Sequence, residues 1–225
     1  KELKRRIART DMFACLKNSA AQFYKREGDK CYLLAGYPWY HAQARETFFA
    51  TPSCTLDIDR PEYWDAIIDQ TAVGEVRAFM AGDYDKVKMT GMDDPDALLW
   101  FIRACQKYAH KYTLHEAAEK YGELCREIIE YYRRQNHPRA IVHQNGLIWV
   151  DGTERPATWM DAMENGKPIT PRTGYVVEIN ALWYNALKFT EEMLSEMGKE
   201  AMADLTEYQA EIVRDSFIRT FWNGL

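Results

Sequence analysis

The sequence predicts an all-α fold, and three observations carry that expectation. Two long stretches, residues 96–137 and 172–225, contain no proline and are rich in Ala, Leu, Glu, Lys and Met, the good helix formers. Through much of the chain apolar residues recur at three- and four-residue spacing, which places them on one helical face. Strand signals are brief and confined to a few short runs.

The elements follow in order. Residues 1 to about 25 and 45–56 are expected to be helical. Asp59-Arg60-Pro61-Glu62 reads as a helix start, with Asp59 as cap and proline in the first turn. Behind it Trp64, Ile67, Ile68 and Ala72 fall at i, i+3, i+4 and i+8. Leu98, Leu99, Ile102, Cys105 and Ala109 continue the pattern, then Ala117, Tyr121, Leu124, Cys125, Ile128, Ile129 and Tyr132. Leu182, Ala186, Phe189, Met193 and Met197 form a further stripe, and Tyr208, Ile212, Phe217 and Phe221 a less regular last one. Short strands are expected at 31–34, 140–143 and 147–150, the last two flanking Asn145-Gly146, a hairpin signal. About seven helices with short connections suit a solenoid or a closed α/α toroid, and periodicity does not separate the two.

Composition excludes several classes. With 29 Lys+Arg against 34 Asp+Glu the net charge is -5, which offers no footprint for nucleic acid or anionic lipid. No apolar run approaches the ~20 residues of a membrane span, and residues 1–6 do not resemble a signal peptide. The five cysteines form no CxxC pair and read as buried thiols of a reducing, cytoplasmic compartment. The histidines show no ligand spacing, the acidic runs 82–85 and 93–96 follow no EF-hand pattern, and no glycine-rich phosphate loop occurs. No metal or cofactor is therefore expected, and those acidic runs read as helix caps. The unusual figure is 13% aromatic residues, which either fill a core or line a site for a flat ligand such as a sugar ring.

Chemistry concentrates in residues 152–178. Asp161 stands in Thr158-Trp159-Met160-Asp161-Ala162, beside a tryptophan in a loop between helices. An apolar wall disfavours a charged carboxylate, so such an Asp is a candidate general acid; an Asp that merely caps a helix or turn is the alternative. Glu178 supplies a second carboxylate.

The run TWMDA, followed by TPR and then VEINALWYNAL, resembles the carboxyl-terminal glucosidase domain of glycogen-debranching enzymes, the amylo-α-1,6-glucosidases. AGYPWY at 35–40 leading into Arg45-Glu46-Thr47-Phe48, DALLWFI at 96–102 and NGLI at 145–148 extend the resemblance over about residues 22–187. It implies an (α/α)6 barrel with its site where loops meet at one end. It further implies hydrolysis, with inversion, of the α-1,6-linked glucose left at a trimmed glycogen or starch branch. Asp161 matches the general acid. Arg45 and Glu46 match an Arg-Asp pair that binds sugar hydroxyls, where a charged fork suits a vicinal diol. Trp39, Tyr40 and Trp159 would face the sugar's C–H surface, Asp96, Arg172 and Glu178 would complete the substrate-binding set, and Trp183 reads as wall or core. His41 is kept as a further sugar contact.

Two departures bear on this. The family's Asp after Arg is Glu46, and its Trp-Gly is Gln43-Ala44. The family's general base lies in a glycine- and serine-rich loop that residues 1–225 do not contain. The expectation is thus a single domain over 1–225, the amino-terminal and central part of a barrel, with little turnover alone and a tendency to self-associate. The expected partner is glycogen or a branched α-glucan oligosaccharide. A non-catalytic glucan-binding relative, or a glucoamylase-like hydrolase of α-1,4 links, are the alternatives.

Overall fold

The computed structural model describes residues 7–36, 39–222 and 224. Part of the expected first helix, and Tyr37 and Pro38 of the AGYPWY segment, lie outside them. Contacts group the chain into two compact units, Lys1–Met92 and Asp93–Leu225. Helix dominates both, as the sequence predicts.

In the first unit, α1 (Met12–Ala20) is capped by Asp11, whose Oδ1 accepts the Ala14 N–H at 2.8 Å. The helix expected to run to about residue 25 stops at Ala20. The chain there enters an antiparallel hairpin, β1 (Tyr24–Glu27) and β2 (Lys30–Leu33), closed by the two-residue turn Gly28-Asp29. A Gly-Asp pair between β-forming aromatic residues overrides the helical propensity around it.

Helix α2 (Ala44–Thr55) falls within a residue of its expected bounds. Three threonines, 47, 51 and 55, are buried on it. Thr51 and Thr55 each donate to the carbonyl four residues earlier at 2.6 Å, so their hydroxyls are satisfied by their own helix.

The run that opens at Pro61 is continuous but not uniform. It comprises α3 (Pro61–Trp64), a π-helical stretch (Asp65–Ala72) and α4 (Val73–Met80). Trp64, Ile67, Ile68 and Ala72 are all buried, as their spacing predicts. The widened turns coincide with Thr71, whose Oγ1 donates to Ala66 O at 2.8 Å, five residues back, and accepts the Cys31 N–H of β2 at 3.0 Å. Arg60 rather than Asp59 takes the cap position, and Asp59 adopts a left-handed backbone, φ 51°.

The second unit holds four long helices: α5 (Ala97–Lys111), α6 (Leu114–Arg133), α7 (Val177–Glu196) and α8 (Glu200–Phe221). The stripes predicted on α5 and α6 are buried. The stripe on α8 is not the predicted one. Ala203, Thr206, Ala210, Val213 and Ser216 are its buried residues, while Tyr208 is 61% exposed. Small side chains let α8 lie close along α7, whereas the larger aromatics stay at the edge of that contact. The aromatics expected to fill a core do so in part, with Trp64, Trp183, Tyr121 and Tyr132 fully buried. Cys31, Cys105 and Cys125 are buried thiols as expected; Cys15 on α1 is exposed and Cys54 on α2 only half-buried, which corrects that reading for both.

Between α6 and α7 the chain forms a three-stranded antiparallel sheet, β3 (Ala140–Val142), β4 (Ile148–Val150) and β7 (Gly174–Tyr175), in the order β3-β4-β7. The Asn145-Gly146 signal is confirmed, with Gly146 at φ 82° completing the turn by donating to His143 O at 2.8 Å. A second Asn-Gly pair, Asn165-Gly166, has φ of 49° and 78° and joins the short strands β5 (Met163–Glu164) and β6 (Lys167–Pro168). Positive φ at both central residues is the type I′ hairpin turn, a signal present in the sequence but not used above. No helix of the described residues is long and apolar enough to cross a membrane.

Candidate active site

The structure divides the candidate residues between its two units. Trp39, Tyr40, His41, Arg45 and Glu46 lie in the first; Asp96, Trp159, Asp161, Arg172 and Glu178 lie in the second.

In the second unit the Asp161 segment is held at both ends. Arg139 donates to Asp94 Oδ1 at 2.7 Å and to the main-chain carbonyls of Arg155 and Pro156 at 3.0 and 2.6 Å. Arg155 in turn makes a two-pronged contact with Asp93 at 2.7 and 3.3 Å. Burial pushes the Asp93 carboxyl up, but the Arg155 hydrogen bond and charge outweigh it and hold Asp93 below its ordinary value. The acidic pair read as helix caps therefore anchors the entry to the loop. Asp96 occupies the cap position of α5 without a capping bond from its side chain; it is buried, and its Oδ2 accepts the Trp100 Nε1–H at 3.3 Å.

Past that anchor Ala157 and Thr158 are buried, and Thr158 Oγ1 accepts the Met160 N–H at 3.2 Å. Met160 Sδ lies 3.4 Å from Arg172 Nη1, and Ala162 O accepts the Ile169 N–H at 3.0 Å. Both chain neighbours of Asp161 are thus pinned. Its own carboxylate is exposed and makes no hydrogen bond or ion pair among the described residues. Trp159 is also exposed, at 62%. Asp161 is thus an exposed carboxylate on a fixed backbone; with Trp159 exposed as well, the apolar wall expected from the sequence is not formed among the described residues.

Arg172 joins this loop to α7. Its Nη2 donates to Glu178 Oε2 at 2.6 Å, while Glu178 Oε1 is buried with no hydrogen-bond partner among the described residues. Asp161's neighbour, Arg172 and Glu178 are thereby brought together, whereas Trp183 is core, as expected, with its Nε1–H donated to Gly146 O at 3.0 Å. Sequence reading missed Asn180, which is fully buried. It bonds both main-chain groups of Ile148, accepting at 2.7 Å and donating at 3.0 Å, and so locks β4 onto α7.

In the first unit Trp39 is 82% exposed and Tyr40 is exposed beside it. Their loop is closed by Tyr40 N–H to Gly36 O at 2.7 Å and Ala35 N–H to His41 O at 3.1 Å. A Cβ on Gly36 would stand 2.7 Å from the Tyr40 ring, so glycine is what allows this approach. His41 lines a hollow of about 210 Å³ with Lys25, Tyr32 and Lys88. Arg45 is buried in the first turn of α2, its Nη1 3.9 Å from Glu46 Oε1. That is a loose ion pair, and protein covers almost all of the Arg45 side chain. No group of three or more His, Cys, Asp or Glu among the described residues could hold a metal ion.

Compared with protein families, the sequence matches the one described as amylo-alpha-1,6-glucosidase over residues 17–224. The chain belongs to that family. No curated protein and no solved structure matches it. The match covers both units and every candidate residue, and it makes a glycosidase the parent class of this chain.

Proposed function

We propose that the chain is the acid-bearing part of a catalytic domain that hydrolyses α-1,6-linked glucose at trimmed glycogen or starch branch points. Residues 1–225 would form the amino-terminal and central part of one (α/α)6 barrel. Asp161 donates its proton to the leaving glycosidic oxygen as the bond to the anomeric carbon breaks. A second carboxylate, from a loop outside residues 1–225, takes a proton from the water that attacks the opposite face. Inversion needs these two carboxyls roughly 6.5–9.5 Å apart. Arg45 and Glu46 bind hydroxyls of the departing glucose, and Trp39, Tyr40 and Trp159 cover its C–H faces. Asp96, Arg172 and Glu178 hold the surrounding shell. The observation that supports this most directly is Asp161, unengaged among the described residues, between two pinned neighbours in the family's own loop.

The test is Asp161→Asn in the intact protein. Glucose release from a phosphorylase-trimmed glycogen is expected to fall at least a thousandfold, while affinity for isomaltose stays within threefold. Unchanged glucose release would remove Asp161 from the acid's role. Saturable isomaltose binding without hydrolysis by the wild type would favour the glucan-binding relative, the reading that Glu46 and Gln43-Ala44 support.

A further inference from the structure

Glu75 lies on α4 with no exposed surface, and four donors converge on its carboxylate. Tyr32 Oη–H and Lys30 Nζ donate to Oε1 at 2.7 and 3.2 Å. The main-chain N–H groups of Lys88 and Met89 both donate to Oε2, each at 2.9 Å. A buried carboxylate persists only when it is paired and hydrogen-bonded in this way.

What those two amides belong to gives the arrangement a second meaning. Lys88 and Met89 stand in a segment with neither helix nor strand, so Oε2 substitutes for a ladder in fixing it. The next residue, Thr90, forms an isolated parallel bridge with Gln43. Its N–H donates to Ala42 O at 3.2 Å, and its carbonyl accepts the Ala44 N–H at 2.9 Å. Ala44 is the first residue of α2, and the side chain of its cap residue, Gln43, makes no capping bond. The first amide of α2 is thus tied to Thr90, and Arg45 and Glu46 follow it at once.

We propose that Glu75 is a positioning residue that sets the first turn of α2, and with it Arg45 and Glu46, through the segment 88–90. The functional half of this proposal rests on reading Arg45 and Glu46 as sugar-binding groups. A carboxylate that only stabilised the first unit would not act selectively on Ala44 and Thr90. Thr71 provides the comparison: it is equally buried and bonds Cys31 of β2, but none of its bonds reaches 88–90.

The experiment is amide hydrogen exchange of the full chain, with isomaltose titration of the same samples, for the wild type, Glu75→Met, Glu75→Gln and Thr71→Val. Glu75→Met leaves the Lys88 and Met89 amides without an acceptor, and exchange at Ala44 and Thr90 is expected to rise at least tenfold. Glu75→Gln keeps one oxygen for those amides and should rescue them to within about threefold of wild type. Thr71→Val should leave Ala44 and Thr90 protected while loosening Cys31. Isomaltose affinity should fall at least fivefold in Glu75→Met only. Unchanged protection at Ala44 and Thr90 in Glu75→Met, or an equal loss in Thr71→Val, overturns the positioning role. If Glu75→Met does not fold, Glu75→Asp takes its place: its carboxylate is one methylene short of the Lys88 and Met89 amides, exchange at Ala44 and Thr90 is expected to rise at least threefold, and unchanged protection there overturns the positioning role equally. Loosened amides in a chain whose wild type binds no isomaltose would support the coupling and overturn the sugar reading of Arg45 and Glu46.

Discussion

Arg172 and Glu178 form an ion pair of 2.6 Å that fastens the loop carrying Asp161 to the first turn of α7. The same guanidinium touches Met160 Sδ at 3.4 Å, so one side chain spans loop and helix. Both partners keep about a quarter to a third of their side-chain surface, so solvent screens the pair. Arg172→Ala should therefore cost only about 1 kcal/mol in urea unfolding, less than a buried pair would. Its larger effect is on position. Arg172→Lys keeps the charge but not the fork that reaches both Met160 and Glu178. In the intact protein it should lower kcat for glucose release about tenfold or more with little change in KM. A KM increase at constant kcat would instead make Arg172 a direct binder of substrate.

Asn180 carries a clearer stability prediction. Its amide satisfies both main-chain groups of Ile148 and also donates to Val176 O at 3.0 Å. Asn180→Ala leaves the buried Ile148 N–H and carbonyl without partners, at a cost of about 2–4 kcal/mol in chemical denaturation. Asn180→Asp is expected to be at least as harmful, because a carboxylate cannot donate to Ile148 O and is costly to bury. A loss below about 1 kcal/mol in Asn180→Ala would show that β4 and α7 hold together by apolar packing alone.

The sequence was legible where structure is local. Period and proline placement marked α2, α5, α6 and α7 to within a few residues, because a helix buries a stripe that its own neighbours define. It failed on α8, where the buried face consists of small residues and the larger apolar ones mislead. It failed also at residues 21–25, where the hairpin closed by Gly28-Asp29 outweighed the expectation of continued helix. Asp161 and its loop were legible as a motif. What holds that loop was not. Arg139 and Asp94 stand 45 positions apart, as do Glu75 and Lys30, and no periodicity links partners at such separations. Asn165-Gly166 is the exception, a local signal that alone gives the β5–β6 hairpin.

The acid stability of the second unit should depend on His137. Burial pushes its imidazole down to about 3, against the ordinary 6.5. The ring lies parallel to Tyr132 with centroids 4.8 Å apart, and Nδ1 accepts the Arg139 N–H at 3.2 Å, a bond the neutral ring makes. Asp93 favours the charged form and Arg139 opposes it, and burial outweighs both. The unfolded chain takes up a proton near pH 6.5 that the folded chain refuses until about pH 3. The stabilisation is therefore complete above pH 6.5 and is lost as pH falls from there toward 3, by at most about 1.4 kcal/mol per pH unit. His137→Gln removes this proton, so its unfolding free energy should fall less steeply than that of the wild type between pH 6.5 and 4. Parallel curves for the two proteins would show that His137 titrates normally. Since His137 accepts from Arg139, whose side chain clamps Arg155 and Pro156, acid should also loosen the entry to the Asp161 loop. Exchange of the Met160 amide, which Thr158 protects, should accelerate over that pH window in the wild type more than in His137→Gln, after correction for intrinsic rates.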